Sequence, residues 1–286
     1  MEAYVGARVL EVNDAANGVS LPVMVMYPGI TPSSQVKFGS YTLDIAMDAD
    51  MAGTGYPLVI LSHGTGSTPY AYRSIAAYLA RQGFVVALPE HYGNNRNNNE
   101  LADSDDNLLY RPRHIRLSID AIAADADLGG RVDTANTAII GHSMGGYTAL
   151  AVAGGRPWTK QGRQLAVESD PRVKALVLMA PAIFWYLPPG ALGSVDLPML
   201  VLTAEQDPFT PGGQVMQILN GVEEPSRIEH HEIDNAGHFS FLSPFPEEMI
   251  RPDFPPSQDP EGFDREAFHY ILNRQLVDYL NGVMHG

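Results

Sequence analysis

Apolar and polar positions follow two different rhythms along this chain. Up to Tyr27 the apolar residues fall in two strand-like runs, Tyr4–Val12 and Leu21–Tyr27, parted by the turn-forming stretch Asn13–Gly18. The segment Thr31–Gly55 is polar and offers one more short strand near Tyr41–Ile45. After it, continuous apolar runs alternate with helical periodicity. Pro57–Ser62 predicts a buried strand, Ala71–Gln82 a helix closed by Gly83, and Phe84–Leu88 the next strand. Then follow a helix over Ile115–Asp127, a strand over Thr137–Gly141, a helix over Met144–Gly154, and strands over Val173–Met179 and Met199–Thr203. Arg227–Ile233 predicts the last strand. Arg265–Leu280 predicts a terminal helix, with apolar residues at Phe268, Ile271, Leu272, Leu276, Tyr279 and Leu280.

Strands that are apolar nearly throughout must be covered on both faces. Their alternation with helices predicts an α/β fold with a mostly parallel central sheet and helices on both faces, as a single domain over residues 1–286. Ligands in such sheets bind beyond the carboxyl ends of the strands, so the chemistry belongs just after strands. Two stretches break the alternation: Tyr92–Arg113, which contains NNRNNN, and the proline-rich Ser243–Pro260. Each reads as a surface loop or as a lid over a site. The short interval between Met179 and Met199 leaves no room for a large inserted cap.

Composition narrows the partners. A formal net charge of -15 repels phosphate backbones and anionic lipid, which disfavours nucleic acid and membrane surfaces. There is no cysteine, so disulfides, thiolate metal sites and a cysteine nucleophile are excluded. The first residues carry neither a basic nor an apolar leader pattern, and no apolar run reaches the roughly 18 residues of a membrane span. A cytoplasmic location is the expectation. The oligomeric state is not legible.

Three motifs carry the chemistry. Gly141-His142-Ser143-Met144-Gly145 is G-x-S-x-G between a strand and a helix, the setting in which a sharp turn exposes a serine as nucleophile. The competing role, a serine that merely caps the helix, suits the residue type but not the flanking glycines. Asn235-Ala236-Gly237-His238 follows the last strand, and His238 there can reach back to Ser143 as its base. His63 and His142 lie inside other motifs, and His230 and His231 in a strand. His91, His114, His269 and His285 lack such a glycine turn. The acid that orients the base is read as Asp207, in the turn Glu205-Gln206-Asp207-Pro208 after the strand MLVLT. Glu205 is the runner-up, Asp196 and Asp234 fit less well, and an Asx turn is the bland role for Asp207. Ser62-His63-Gly64-Thr65-Gly66 ends another strand. Its Thr65 N–H, with the N–H of Met144, is the expected oxyanion hole, while His63 is expected to hold the loop. Phe184, Trp185, Tyr186 and Phe239 are candidate pocket residues, with Phe241 beside them. No metal or cofactor is expected.

These residues, in the order Ser143, Asp207, His238, resemble the α/β-hydrolase superfamily over nearly the whole chain. Within it, VMVMYPG, the block LSHGTGSTPYAYRSIAAYLARQGFVVALPEHYG and GHSMGG are similar to the group joining platelet-activating-factor acetylhydrolases with dienelactone-hydrolase-like proteins. The resemblance implies a serine esterase without cofactor or metal, and Thr65 and Met144 match its oxyanion positions. One departure is visible. Platelet-activating-factor acetylhydrolases carry their acid after the strand that follows the nucleophile helix, where this chain has Ala180 and Pro181. Hydrolysis of small to medium carboxylic esters through an acyl-enzyme is therefore the leading expectation, with a small-molecule ester as partner. Amide or peptide hydrolysis by the same three residues and a non-catalytic binding module are the alternatives.

Overall fold

The computed structural model describes residues 4–284, so His285 lies outside the described residues. β1 (Tyr4–Asp14) and β2 (Val19–Gly29) form an antiparallel hairpin in register from Tyr4 opposite Gly29 to Asp14 opposite Val19. β3 (Ser34–Phe38) pairs antiparallel with β4 (Tyr41–Met47). No apolar run announces β3, because its side chains are exposed or half-buried. β5 (Tyr56–Ser62), β6 (Val85–Pro89), β7 (Val132–His142), β8 (Val173–Met179), β9 (Met199–Ala204) and β10 (Ile228–Ile233) are mutually parallel. Together they make one sheet in the order β10-β9-β8-β7-β5-β6-β2-β1-β4-β3.

Helices cover both faces. α1 (Arg73–Arg81) and α5 (Arg265–Met284) bury Ile75, Leu79, Leu272 and Leu276 against one side. α2 (Asp105–Ala124), α3 (Met144–Val152) and α4 (Gly212–Leu219) bury Ile115, Leu150 and Val215 against the other. Between β8 and β9 there is only a short 3₁₀ turn, Phe184–Tyr186, and no cap is inserted there. No helix of the described residues is long and apolar enough to cross a membrane.

α2 differs most from the sequence reading. It begins at Asp105, ten residues before the expected start, and ends at Ala124. Ser104 caps it by accepting the Asn107 N–H at 3.1 Å, and Asp105 and Asp106 sit at its positive end. Pro112 lies inside and cannot bond to the Leu108 carbonyl. The Tyr147 hydroxyl donates to that carbonyl at 2.8 Å, which removes the penalty of an orphaned acceptor. The expected loop over 92–113 therefore stops at Ser104. Its asparagines bond one another, with Asn95 Oδ1 accepting the N–H groups of Asn97 and Asn98, each at 2.9 Å.

Candidate active site

Register brings the ends of β5, β7 and β8 side by side, with Ser62 opposite Gly141 and His142 opposite Met179. At the tip of β7 the chain turns sharply into α3, and Ser143 takes φ 53° and ψ -118°. A non-glycine residue there is strained and must be held by its surroundings. Three backbone bonds hold it: Ser143 N–H to Met179 O at 3.0 Å, and Ser143 O accepting from Gly146 at 2.9 Å and from Ala182 at 2.8 Å. Tight packing explains the flanking glycines. A Cβ at Gly145 would stand 1.9 Å from Ser62 O, and one at Gly141 would stand 2.2 Å from Gly145 O. The Ser143 side chain makes no capping bond to α3.

Instead, Ser143 Oγ lies 3.0 Å from His238 Nε2. The other imidazole nitrogen, Nδ1, lies 2.7 Å from Asp207 Oδ2. Asp207 is buried, 6% exposed, on the turn after β9. Burial pushes its carboxyl up, but the bonds from His238 and Thr210 outweigh burial and pull the pKa down to about 2. The Asx-turn role is filled as well. Oδ1 accepts the Phe209 N–H at 2.8 Å and the Thr210 N–H at 3.0 Å, leaving Oδ2 for the histidine. Thr210 Oγ1 lies 2.6 Å from Oδ2 and 3.1 Å from Ala180 O, and its single proton serves one of them at a time. Glu205 points away, its carboxylate accepting the Asn235 N–H at 2.7 Å, and Asp196 pairs with Arg227 at 2.7 Å.

The loop after β5 meets this turn closely, since a Cβ on Gly64 would stand 3.2 Å from Ser143 Cβ. Among the described residues, neither the Thr65 N–H nor the Met144 N–H has an acceptor within the protein. Met144 opens α3, where backbone donors are free and the helix end is positive. A relay fixes the loop. Gly64 N–H donates to Tyr72 Oη at 3.2 Å, Tyr72 lies 2.8 Å from His142 Nδ1, and His142 Nε2 lies 2.9 Å from the His238 carbonyl. A carbonyl can only accept, so His142 carries its proton on Nε2 and takes the Tyr72 proton bond on Nδ1. Burial pulls the His142 pKa down to about 3, which keeps it neutral.

Behind the loop, His63 Nδ1 donates to Gly64 O at 2.7 Å while Nε2 accepts from the His91 N–H at 3.2 Å. Arg111 is fully buried. It donates to the His63 carbonyl, to Asn94 Oδ1 at 2.6 Å, to Thr148 Oγ1 at 2.9 Å and to Ser62 Oγ at 3.3 Å. All four partners are neutral, so burial lowers its pKa from the ordinary arginine value.

Ser143 and His238 open into a cavity of about 490 Å³. Phe184 and Phe239 line it, as expected, together with Phe209, whose ring centroid is 5.1 Å from that of His238. Trp185 and Tyr186 do not line it. A 3₁₀ turn has three residues per turn, so three consecutive side chains splay in different directions and only Phe184 faces the cavity. Tyr186 stacks on Tyr147 at 5.6 Å inside the core, and Trp185 packs edge-on to Tyr147 at 5.1 Å. Phe241 is also buried, 6.1 Å from His142. Thr210, Tyr72 and Arg111 escaped the sequence reading. Thr210 had a signal, an Asp-x-x-Thr turn. Arg111 had one too, as a charge on the apolar stripe Leu108–Ile115–Ile119 of α2.

Comparison with known proteins agrees with this architecture. Residues 59–197 match the alpha/beta hydrolase family, and the chain has the α/β-hydrolase fold. A ferulic acid esterase from Streptomyces cinnamoneus superposes with a TM-score of 0.78 at 18% identity, covering 100% of this chain and 92% of the other. A bis(hydroxyethyl) terephthalate hydrolase from Streptomyces coelicolor is 27% identical over 175 residues, 59% of this chain and 47% of its own length. A platelet-activating factor acetylhydrolase from Bos taurus is 46% identical over 55 residues, 19% of this chain and 12% of its own. The chain spans about half the length of the curated relatives it matches, the terephthalate hydrolase among them.

Proposed function

We propose that this chain, with its α/β-hydrolase fold, is a serine hydrolase that cleaves carboxylic esters of small to medium acyl groups through an acyl-enzyme on Ser143. One observation carries the reading: the His238 imidazole bridges Ser143 Oγ at 3.0 Å and Asp207 Oδ2 at 2.7 Å at the wall of an aromatic cavity. In this reading the chain acts as one hydrolase domain, and residues 243–260 close the cavity on one side through Phe245, Phe254 and Pro256.

The proposed reaction proceeds in two stages, acylation and deacylation of Ser143. Ser143 Oγ attacks the ester carbonyl carbon as its proton passes to His238 Nε2. Asp207 holds Nδ1–H toward itself, which aims Nε2 at the serine and stabilises the imidazolium. The negative charge on the former carbonyl oxygen is met by the free N–H groups of Thr65 and Met144. His238 then gives its proton to the leaving alkoxide, and the alcohol departs. Water attacks the acyl-enzyme with His238 again as base, releasing the acid and restoring Ser143. The two curated relatives carry names of enzymes that cleave esters, which supports ester rather than amide substrates.

The test compares p-nitrophenyl esters of graded acyl length with the matching anilides. Turnover of short and medium esters, at least a hundredfold faster than of the anilides, is expected. Anilide rates equal to the ester rates would favour an amidase, and absence of both activities in folded protein would favour a binding module.

A further inference from the structure

We infer that the cavity holds a carboxylate subsite built on Arg96, so that the preferred substrates are esters carrying a free carboxylate across an aromatic or short apolar spacer from the scissile bond. This rests on Ser143 being the ester nucleophile.

The cavity has two aromatic groups. Phe209 and Phe239 surround His238, with ring centroids 5.1 and 5.2 Å from it. Tyr41, Phe245 and Phe254 form the second, with Tyr41 6.4 Å from Phe245 and Phe245 5.4 Å from Phe254. Among the described residues, none of these three has a ring contact with His238. The Arg96 guanidinium belongs to the second group, 5.4 Å over the Phe254 ring, and it lines the cavity. Burial raises the Tyr41 phenol, and the Arg96 and Arg73 guanidiniums beside it oppose that rise.

Charge is distributed unusually here. The chain carries a net charge of -15, yet no aspartate or glutamate lines the cavity. Arg96 pairs with no carboxylate among the described residues. Arg73 lies 5.1 Å over the Tyr41 ring from outside the cavity lining and donates to the carbonyls of Tyr70 and Pro244, again without a carboxylate. A third guanidinium, Arg265, stacks 5.3 Å over Phe245, but Asp259 neutralises it at 2.8 Å. Glu90, a carboxylate close to Tyr70, accepts from Asn97 at 3.1 Å and does not line the cavity.

Arg96 at the cavity rim and Arg73 just outside the lining, each over an aromatic ring and neither paired with a carboxylate among the described residues, give this end of the cavity a positive field. The backbone of Arg96 is anchored, its main-chain N–H donating to Ser67 O at 2.8 Å inside the turn that Asn95 organises, while its side chain is exposed and can reach a ligand at the cavity rim. A planar guanidinium presents two parallel donors to a carboxylate, a match that a neutral ester end cannot make. The cavity of about 490 Å³ has room for an ester and a spacer of one ring.

The experiment uses the monomethyl and dimethyl esters of benzene-1,4-dicarboxylic acid, which share a scaffold and differ in the free carboxylate. Wild type should favour the monoester in kcat/KM, and 0.5 M sodium chloride should shrink the preference. In Arg96→Gln the ratio of monoester to diester should fall about fivefold, through KM rather than kcat, and Arg96→Lys should keep part of it. Folding of each variant is checked by its thermal transition. A wild type that favours the neutral diester, or a ratio that Arg96→Gln changes less than twofold, overturns the subsite. Wild-type turnover of p-nitrophenyl acetate, read in parallel, reports on the esterase reading alone.

Discussion

The Tyr72 hydroxyl lies 2.8 Å from Nδ1 of His142, two buried residues 70 positions apart in the chain. This contact links the turn after β5, the residue before Ser143 and the loop that carries His238 through one chain of hydrogen bonds. The N–H groups of Thr65 and Met144 and the His238 imidazole, the proposed oxyanion donors and base, are thereby set relative to one another by neutral hydrogen bonds.

Tyr72→Phe removes a donor to His142 and an acceptor for Gly64 while keeping the ring. Leaving two buried groups unpaired costs roughly 1–3 kcal/mol each at most. The expected result is a lower thermal midpoint and a kcat reduced about tenfold with a smaller change in KM. Steady-state kinetics on p-nitrophenyl acetate checks it, and an unchanged kcat would show that the relay is purely structural.

Arg111→Met removes the guanidinium that grips the His63 carbonyl, Asn94 and Thr148. Those acceptors stay buried, so a destabilisation on the order of 3 kcal/mol is expected in urea titration. Arg111→Lys should restore little, because one ammonium cannot reach four acceptors spread around a planar fork. Full stability of either variant would contradict this account of the network.

Acid should unfold the protein early. Burial, the largest cause for each, pulls His63, His114 and His142 down to about 3 from an ordinary 6.5, and His91 well below 6.5. Below pH 6.5 the unfolded chain takes up protons that the folded chain refuses, so stability falls with pH until the folded values are passed. Each such histidine contributes a slope of roughly 1.4 kcal/mol per pH unit. Urea midpoints at pH 7.5 and 5.0 should differ strongly, and equal midpoints would mean that these histidines are not neutral in the fold.

Asp207→Asn keeps the turn but loses the charge proposed to orient His238, and a kcat loss of roughly 10⁴-fold is expected. Glu205→Gln, changed at an exposed carboxylate bonded to Asn235, should cost little. The two variants are assayed side by side, and a greater loss in Glu205→Gln would reassign the acid.

Much of this was legible because local rules and the fold agree. Continuous apolar runs marked β5 to β9, and glycines forced by backbone contact marked the turn at Ser143. Elements were missed where the signal was tertiary. The first ten residues of α2 looked like loop, since Pro112 is tolerated only because Tyr147 from α3 satisfies Leu108. α4 begins with two glycines and was not foreseen at all. The sequence offers Trp185 and Tyr186 as pocket residues beside Phe184, but the 3₁₀ turn directs them into packing against Tyr147. Tyr72 and Arg96 meet partners distant in sequence, which no spacing rule connects.

The identity of the nucleophile is tested most directly by covalent labelling. A fluorophosphonate reacts with a serine only where a base and an oxyanion site activate it. After exposure of the folded protein, digestion and mass spectrometry locate the adduct while p-nitrophenyl acetate turnover is followed in the same sample. One adduct per chain, on the peptide bearing Ser143, should appear in step with loss of turnover, and Ser143→Ala should neither label nor turn over. Labelling at another residue, or full turnover after Ser143 is completely modified, would contradict the account.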